Sequence, residues 1–254
     1  MQLELAIDLN DLTVFVIAVA YALLVLTVGD LGRRRLELGS DFTRKIIHLF
    51  AGGAIWTVPY YTHAWVATFV ALLFVIMLTV MTAERFGRFF HAMARPEDLE
   101  HGSVRGPLWY AVSITIITAL FTFTGNEQYY FLGAAGIHIM MIGDGMSAPI
   151  GMKYGGGHCY RILGSKRSLC GSLALLVFGY IGAQVATLFF AVWNYGVLAP
   201  GGSILYLPLV LLPLSGAIAG TLIEFVSPKG TDNLTVPFGT TIVMYVITLY
   251  MGLI

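Results

Sequence analysis

Four groups of residues in this sequence have types and spacings that could handle phosphate and a hard metal ion. The densest runs from Gly143 to Ser172, GDGMSAPIGMKYGGGHCYRILGSKRSLCGS. There Asp144 interrupts an apolar run, and a glycine-rich stretch leads to Lys166, Arg167, Ser168, Gly171 and Ser172. A carboxylate in a hydrophobic segment needs a cation, a metal or strong hydrogen bonds, because leaving it bare is costly. On a helix, Ser147 would lie one turn further along the same face. Pro149 has no N–H and so frees the carbonyl of Gly145; broken backbone of this kind is tolerated at membrane depth where it lines a polar cavity. Gly143, Gly145 and Gly151 permit close approach of backbone or ligand. Glycines 155–157 could form a nest of N–H groups for an anion. The amino end of a helix beginning after Ser168 would favour an anion too. The plainer reading, a flexible loop with basic anchors, explains the cations but not Asp144.

The second group is Arg44-Lys45-Ile46-Ile47-His48. Spacings of three and four put Arg44, Lys45 and His48 on one helix face, where two cations and an imidazole could hold a phosphate; membrane-surface anchoring is the competing account. The third is Arg105, which directly precedes Gly106-Pro107-Leu108-Trp109-Tyr110, a break and an aromatic pair suited to the mouth of a lipid groove. The fourth joins Glu224 to Ser227-Pro228-Lys229-Gly230-Thr231-Asp232-Asn233. Thr231 or Asp232 would serve as an ordinary helix N-cap. Alternatively Glu224, Asp232 and Asp144 converge as hard oxygen ligands for Mg²⁺, which takes carboxylates together with substrate phosphates. Two familiar patterns carry nothing. The sequence has no G-x-x-x-x-G-K-[ST] phosphate loop, and Gly143–Ala148 matches G-x-G-x-x-A without the preceding strand that motif requires.

The elements that must position these groups are membrane helices. Of the 254 residues, 57% are hydrophobic and 11% charged, and mean hydropathy is +0.81. A soluble domain carries about 25% charged residues, so this chain cannot coat a soluble surface. Apolar runs near residues 12–31, 45–61, 64–83, 107–124, 129–150, 170–193, 204–223 and 235–254 predict an all-α, polytopic bundle of about eight spans, each near the ~20 residues a bilayer core requires. The run 1–254 reads as one integral-membrane catalytic domain. The acidic start, MQLELAIDLNDL, lacks the basic region of a signal peptide, so the first run is expected to be a retained helix. With eight spans all 14 basic residues fall on one side, including Arg33–Arg35, Arg85, Arg88, Arg95, Lys153, Arg161 and Lys229. The other side holds only Glu4, Asp8, Asp11 and Glu127. Cytoplasmic loops carry the excess of Lys and Arg, which puts both termini outside and the chemistry on the cytoplasmic face. That face also makes Asn233-Leu234-Thr235 a poor glycosylation site and keeps Cys159 and Cys170 reduced. The short chain suggests a prokaryotic plasma membrane.

In the order Arg44–His48 (RKxxH), Gly143–Gly155 (GDGMSAPIGMKYG), Lys166–Ala174 (KRSLCGSLA) and Glu224–Asn233 (E…SPKGTDN), the sequence resembles the polyprenol kinase family, which includes dolichol kinase and phytol kinase. The resemblance covers about residues 40 to 240. Cys170 stands where family members usually carry an acid before Gly-Ser. The resemblance implies transfer of a phosphoryl group from a nucleotide, commonly CTP with ATP the other candidate, to the hydroxyl of an isoprenoid alcohol. It gives Lys166 and Arg167 to triphosphate oxygens, with Gly145, Ser147, Gly151, Ser168, Gly171, Ser172 and Asn233 around the nucleotide. Lys45 and His48 become further phosphate contacts. Asp144 would hold Mg²⁺ or accept the hydroxyl proton, and Glu224 and Asp232 would complete the metal site. The expected partners are a membrane lipid alcohol and a nucleoside triphosphate, with no nucleic acid; self-association is left open. The rival reaction is a CTP-dependent cytidylyltransferase making a CDP-lipid, whose later D-R-x-D acidic signature is replaced here by Asp232-Asn233. A transporter should show midplane polar sites between inverted repeats, and no repeat is visible.

Overall fold

The computed structural model describes residues 7–37, 39–81, 87, 89, 91–94, 105–156, 159–163, 165–228 and 230–254. Arg85, Arg88, Arg95, Gly157 and Lys229 lie outside the described residues, as do the side chains of Arg161 and Lys166. The chain divides into two compact units, residues 1–119 and 120–254.

The first unit is built on α1 (Leu9–Arg35), a helix of 27 residues, about 40 Å of rise. Its amino end carries a capping box: Asp8 accepts from the Asp11 N–H at 2.8 Å and Asp11 accepts from the Asp8 N–H at 3.3 Å. Arg33, Arg34 and Arg35 close its last turn, where cations complement the helix dipole. The fully buried Asp11 carboxylate also accepts from the His63 N–H at 2.9 Å and meets His63 Nδ1 at 2.6 Å. That clasp ties the start of α1 to the turn after the second apolar run. α2 (Ser40–Ala51) passes directly into a 3₁₀ segment, Gly52–Tyr60, containing Pro59. The second apolar run is therefore helical along its length but not one regular α-helix. α3 (Ala67–Val80) and α4 (Arg105–Thr122) follow. The core of this unit gathers Leu26, Ile47, Leu78, Met81 and Ala111.

The second unit surrounds one long helical rod, Glu127–Tyr154, with 78% of its apolar stretch inside the protein against 33–44% for the other four long apolar helices. The rod comprises α5 (Tyr130–His138), a π-helical turn Ile139–Asp144, and α6 (Gly145–Tyr154). A short antiparallel hairpin follows, β1 (Cys159–Ile162) and β2 (Ser165–Ser168), with Ile162 opposite Ser165. Then come α7 (Leu169–Thr187), extended by a π turn to Asn194, α8 (Tyr206–Val226) and α9 (Asp232–Tyr250). The rod crosses α7 on glycines. A Cβ at Gly143 would lie 3.0 Å from Gly179 Cα, and one at Gly151 would lie 3.3 Å from Gly171 Cα. Small residues at such crossings let membrane helices pack backbone to backbone.

The fold is thus an all-α membrane-type bundle with very little sheet. Five helices are long and apolar enough to cross a membrane by length and composition: Leu9–Arg35, Glu127–Tyr154, Leu169–Asn194, Tyr206–Val226 and Asp232–Tyr250. The apolar pattern did not foretell the hairpin.

Candidate active site

In the second unit the polar groups gather where β2, the end of α8 and the start of α9 meet. Asp144 closes the π turn and stands ten residues before its helix ends at Tyr154, about 15 Å of rise. Ser147 donates to the Asp144 carbonyl at 2.9 Å and lies 3.4 Å from its Oδ1, so the pair shares a face as its spacing predicts. Glu224, in the last turn of α8, is buried. Asp232 opens α9 and accepts from the Asn233 N–H at 3.0 Å. Thr231 makes no side-chain cap; its hydroxyl donates to the Pro228 carbonyl at 2.9 Å.

Arg167 joins these elements. It lies on β2 and is 9% exposed. Its Nη1 forms an ion pair with Glu224 Oε1, and its Nη2 donates to the Ser227 carbonyl at 3.4 Å. Its Nε–H is buried with no hydrogen-bond acceptor among the described residues. Burial pulls the guanidinium below its ordinary range, and the carboxylates of Asp232 and Asp144, with Tyr160, oppose that. Both aspartates are therefore close enough to act on Arg167 electrostatically. The sequence reading gave Glu224 to a metal; in the structure its partner is Arg167.

The residues around Arg167 have more ordinary work. Ser168 N-caps α7, accepting from the Gly171 N–H at 3.1 Å. Ser172 shares a 2.9 Å hydrogen bond with the Tyr160 hydroxyl. Tyr160 stacks obliquely on Phe225 with ring centroids 5.0 Å apart, which pins the hairpin onto α7 and α8. Gly151 and Gly171 are accounted for by the helix crossing. Gly155 and Gly156, expected in an anion nest, end α6: the Gly155 N–H donates to the Gly151 carbonyl at 3.0 Å and Gly156 takes φ +52, the left-handed residue with which helices commonly stop. Asn233 is buried in the first turn of α9. The backbone of Lys166 pairs with Arg161 across the hairpin. Cys159 and Cys170 are free thiols.

Lys45 and His48 belong to the first unit. The His48 ring lies 4.9 Å from that of Tyr110. The Tyr110 hydroxyl donates to the His48 carbonyl at 3.0 Å and accepts from the Gly52 N–H at 3.0 Å. Tyr110 thus holds α4 against the end of α2, and so fixes the turn that carries the histidine. Sequence reasoning flagged Tyr110 as a groove residue but missed this bond pair, and it missed Tyr160 altogether.

The site's charge states what it can hold. Among the described side chains, Arg167 is one positive charge facing the carboxylates of Asp144, Glu224 and Asp232. Asp144 and Asp232 are oxygen donors of the kind a hard divalent ion such as Mg²⁺ takes, and the orphaned Nε–H of Arg167 calls for an anionic acceptor.

The chain is similar to proteins named phytol kinases. The chain is 28% identical over 231 residues to a phytol kinase of Synechocystis sp., covering 87% of this chain and 85% of that one. The likeness is to a polyprenol/phytol kinase-like family. Similarity extends to a protein described as "Probable phytol kinase, chloroplastic" of Zea mays, 25% identical over 92% of this chain and 75% of that one. A "Probable phytol kinase 2, chloroplastic" of Glycine max is 25% identical over 92% of this chain and 74% of that one. No family model matches the chain. No solved structure matches it.

Proposed function

We propose that this chain is a membrane-embedded phosphotransferase that moves the γ-phosphoryl group of a nucleoside triphosphate, CTP before ATP, to the hydroxyl of an isoprenoid alcohol of the phytol and polyprenol class. The observation that carries the proposal is the buried ion pair of Arg167 with Glu224, on which the half-buried Asp232 and Asp144 act electrostatically. That cluster belongs to a chain similar to phytol kinases over almost all of its length.

In this reaction the alcohol oxygen bonds to the γ-phosphorus, the bond from that phosphorus to the bridging oxygen breaks, and the nucleoside diphosphate leaves. The protein's share of the work is positioning and electrostatics rather than covalent chemistry. Arg167 and Lys166 bind phosphate oxygens, while Lys45 and His48, in the first unit, are a candidate phosphate contact by themselves. Asp144 and Asp232 are the residues that would hold Mg²⁺. The ion would neutralise charge building on the transferring and leaving oxygens. Asp144 is also the carboxylate nearest the apolar phase by its depth in the helix, so it is the group suited to take the hydroxyl proton. The alcohol's chain stays in the bilayer while its hydroxyl reaches the polar end of the rod. We place eight crossings, both termini outside and this site on the cytoplasmic face, because that arrangement alone puts every basic residue on one side. Residues 1–254 are read as a single integral-membrane catalytic domain of a plasma membrane.

The test uses purified chain, Mg²⁺, phytol, polyprenols, diacylglycerol and phosphatidic acid, with CTP labelled at the α or the γ phosphate. Label passing from the γ position into a lipid alcohol is the expected result, and chromatography of the product names the alcohol. Label entering lipid from the α position would replace the kinase with a cytidylyltransferase. No transfer with either CTP or ATP would overturn the enzyme reading in favour of transport.

A further inference from the structure

Arg167 is held unusually firmly for a residue that must meet a diffusing ligand. It reaches from the hairpin to two other elements, pairing through Nη1 with Glu224 of α8 and through Nη2 with the Ser227 carbonyl beyond α8. Ser227 is itself fixed. It is 2% exposed, its N–H donates to the Glu224 carbonyl at 3.3 Å, and its hydroxyl donates to the Ile223 carbonyl at 2.7 Å while lying 2.5 Å from Thr235 Oγ1. Two of the three guanidinium nitrogens are thus committed to groups that cannot move independently of α8. The third, Nε, is buried and has no acceptor among the described residues. A buried N–H is rarely left unpaired, and one bordering a charged site marks the place of a missing acceptor. The ion pair uses the same carboxylate that a metal would need, and a carboxylate bonded to arginine is a poorer ligand for a cation.

We propose that Glu224 is a positioning residue: it touches neither metal nor substrate, and it orients Arg167 so that Nε–H donates to a phosphate oxygen of the nucleotide. This deepens the kinase reading above and rests on it. It divides the acids of the site into two kinds. Asp144 and Asp232 act on the ion and the reacting groups, while Glu224 acts only through Arg167. It also explains why the basic hairpin is fastened to the α8–α9 junction: the nucleotide's arginine arrives on β2 and must be aimed from the helix behind it.

The experiment compares the full chain with Glu224→Gln, Glu224→Asp, Arg167→Met and the double variant Glu224→Gln/Arg167→Met. For each, KM for the nucleotide, kcat, and Mn²⁺ affinity by electron paramagnetic resonance are measured. Glu224→Gln should raise nucleotide KM by about 10- to 100-fold, the loss of one charge-assisted contact, with Mn²⁺ affinity unchanged. Glu224→Asp, which keeps the charge on a shorter arm, should fall between it and the parent. The double variant should be no worse in KM than Arg167→Met alone, because the two residues act in series. A fall in Mn²⁺ affinity in Glu224→Gln or Glu224→Asp would overturn the proposal and return Glu224 to the metal. Independent, multiplying losses in the double variant would overturn it too. If Glu224→Gln does not fold, the same two readouts on Glu224→Asp decide. A parent protein that transfers no γ-phosphate would instead sink the kinase reading itself, which keeps the two failures apart.

Discussion

Replacing Gly143 with alanine tests whether the crossing of the central rod and α7 sets the position of Asp144. The new Cβ would sit 3.0 Å from Gly179 Cα, 3.0 Å from the Leu175 carbonyl oxygen and 3.2 Å from the Gly179 nitrogen. All three are backbone atoms of one helix, so no side-chain rotation relieves them, and the helices must part slightly. Overpacking of this kind costs about 1–3 kcal/mol, while exchanging glycine for alanine in a helix returns up to ~1 kcal/mol. The expected net loss of about 1–2 kcal/mol corresponds to a melting temperature lower by roughly 2–8 °C for a chain of this size. Gly239→Ala is the control. Its Cβ meets the Cδ1 tip of Ile223, whose next atom is 3.4 Å away, and a rotamer change relieves it. That variant should melt at or above the parent. Thermal unfolding of the detergent-solubilised proteins gives the comparison, with phosphoryl transfer measured well below either transition. Because Asp144 is the next residue, a shift of a few tenths of an ångström should also lower kcat by roughly three- to tenfold. A Gly143→Ala protein that melts as high as Gly239→Ala and turns over normally would refute the reasoning.

Asp144→Asn should abolish transfer while the solubilised protein keeps the elution volume and helical circular dichroism of the parent; normal turnover would remove Asp144 from the site. Tyr110→Phe deletes the bonds to the His48 carbonyl and the Gly52 N–H, so it should lower stability by about 1–2 kcal/mol and reduce turnover through a displaced His48. An unchanged melting temperature would show that those bonds are not made. His63→Ala removes the imidazole from the buried Asp11 carboxylate but keeps the backbone N–H that also bonds it. Thermal unfolding should report a loss of about 1–3 kcal/mol, and His63→Gln, which can still donate, should recover part of it. Because this clasp lies at the opposite end of α1 from Arg33–Arg35, nucleotide KM should stay at the parent value in both variants.

Much of the molecule was legible from local pattern. The helical bundle follows from apolar runs too long and too poor in charge for any other fold, and each expected run is helical in the described residues. Asp144 stood out because a carboxylate in an apolar helix demands a partner wherever it lies. The Asp144–Ser147 relation followed from helical spacing alone. The hairpin was missed although CYRI-LG-SKRS has the two-residue, glycine-containing turn of a tight hairpin. Leu163 takes φ +47 there, a strained choice that sequence rules argue against, and the flanking residues lack the hydrophobic alternation that usually announces strands. The glycines misled in the other direction. Near a basic stretch they suggested phosphate binding; the structure adds that Gly151 and Gly171 lie where two helices cross, and which helices cross is not written in either segment.

The sequence by itself determined that this chain is a helical membrane protein with an acid buried in one span and its cations gathered in a few short segments. Those are consequences of hydropathy and of residue type within a single segment, which act over one or two helical turns. Only the tertiary structure decided that Glu224 would take Arg167 and that Asp232 and Asp144 would surround it. It also decided that Tyr160 and Ser172 would fasten the hairpin. Each joins elements far apart in the chain, and which partner a buried charge receives depends on how helices pack around it, because in a low-dielectric interior only the groups within a few ångströms can compensate it.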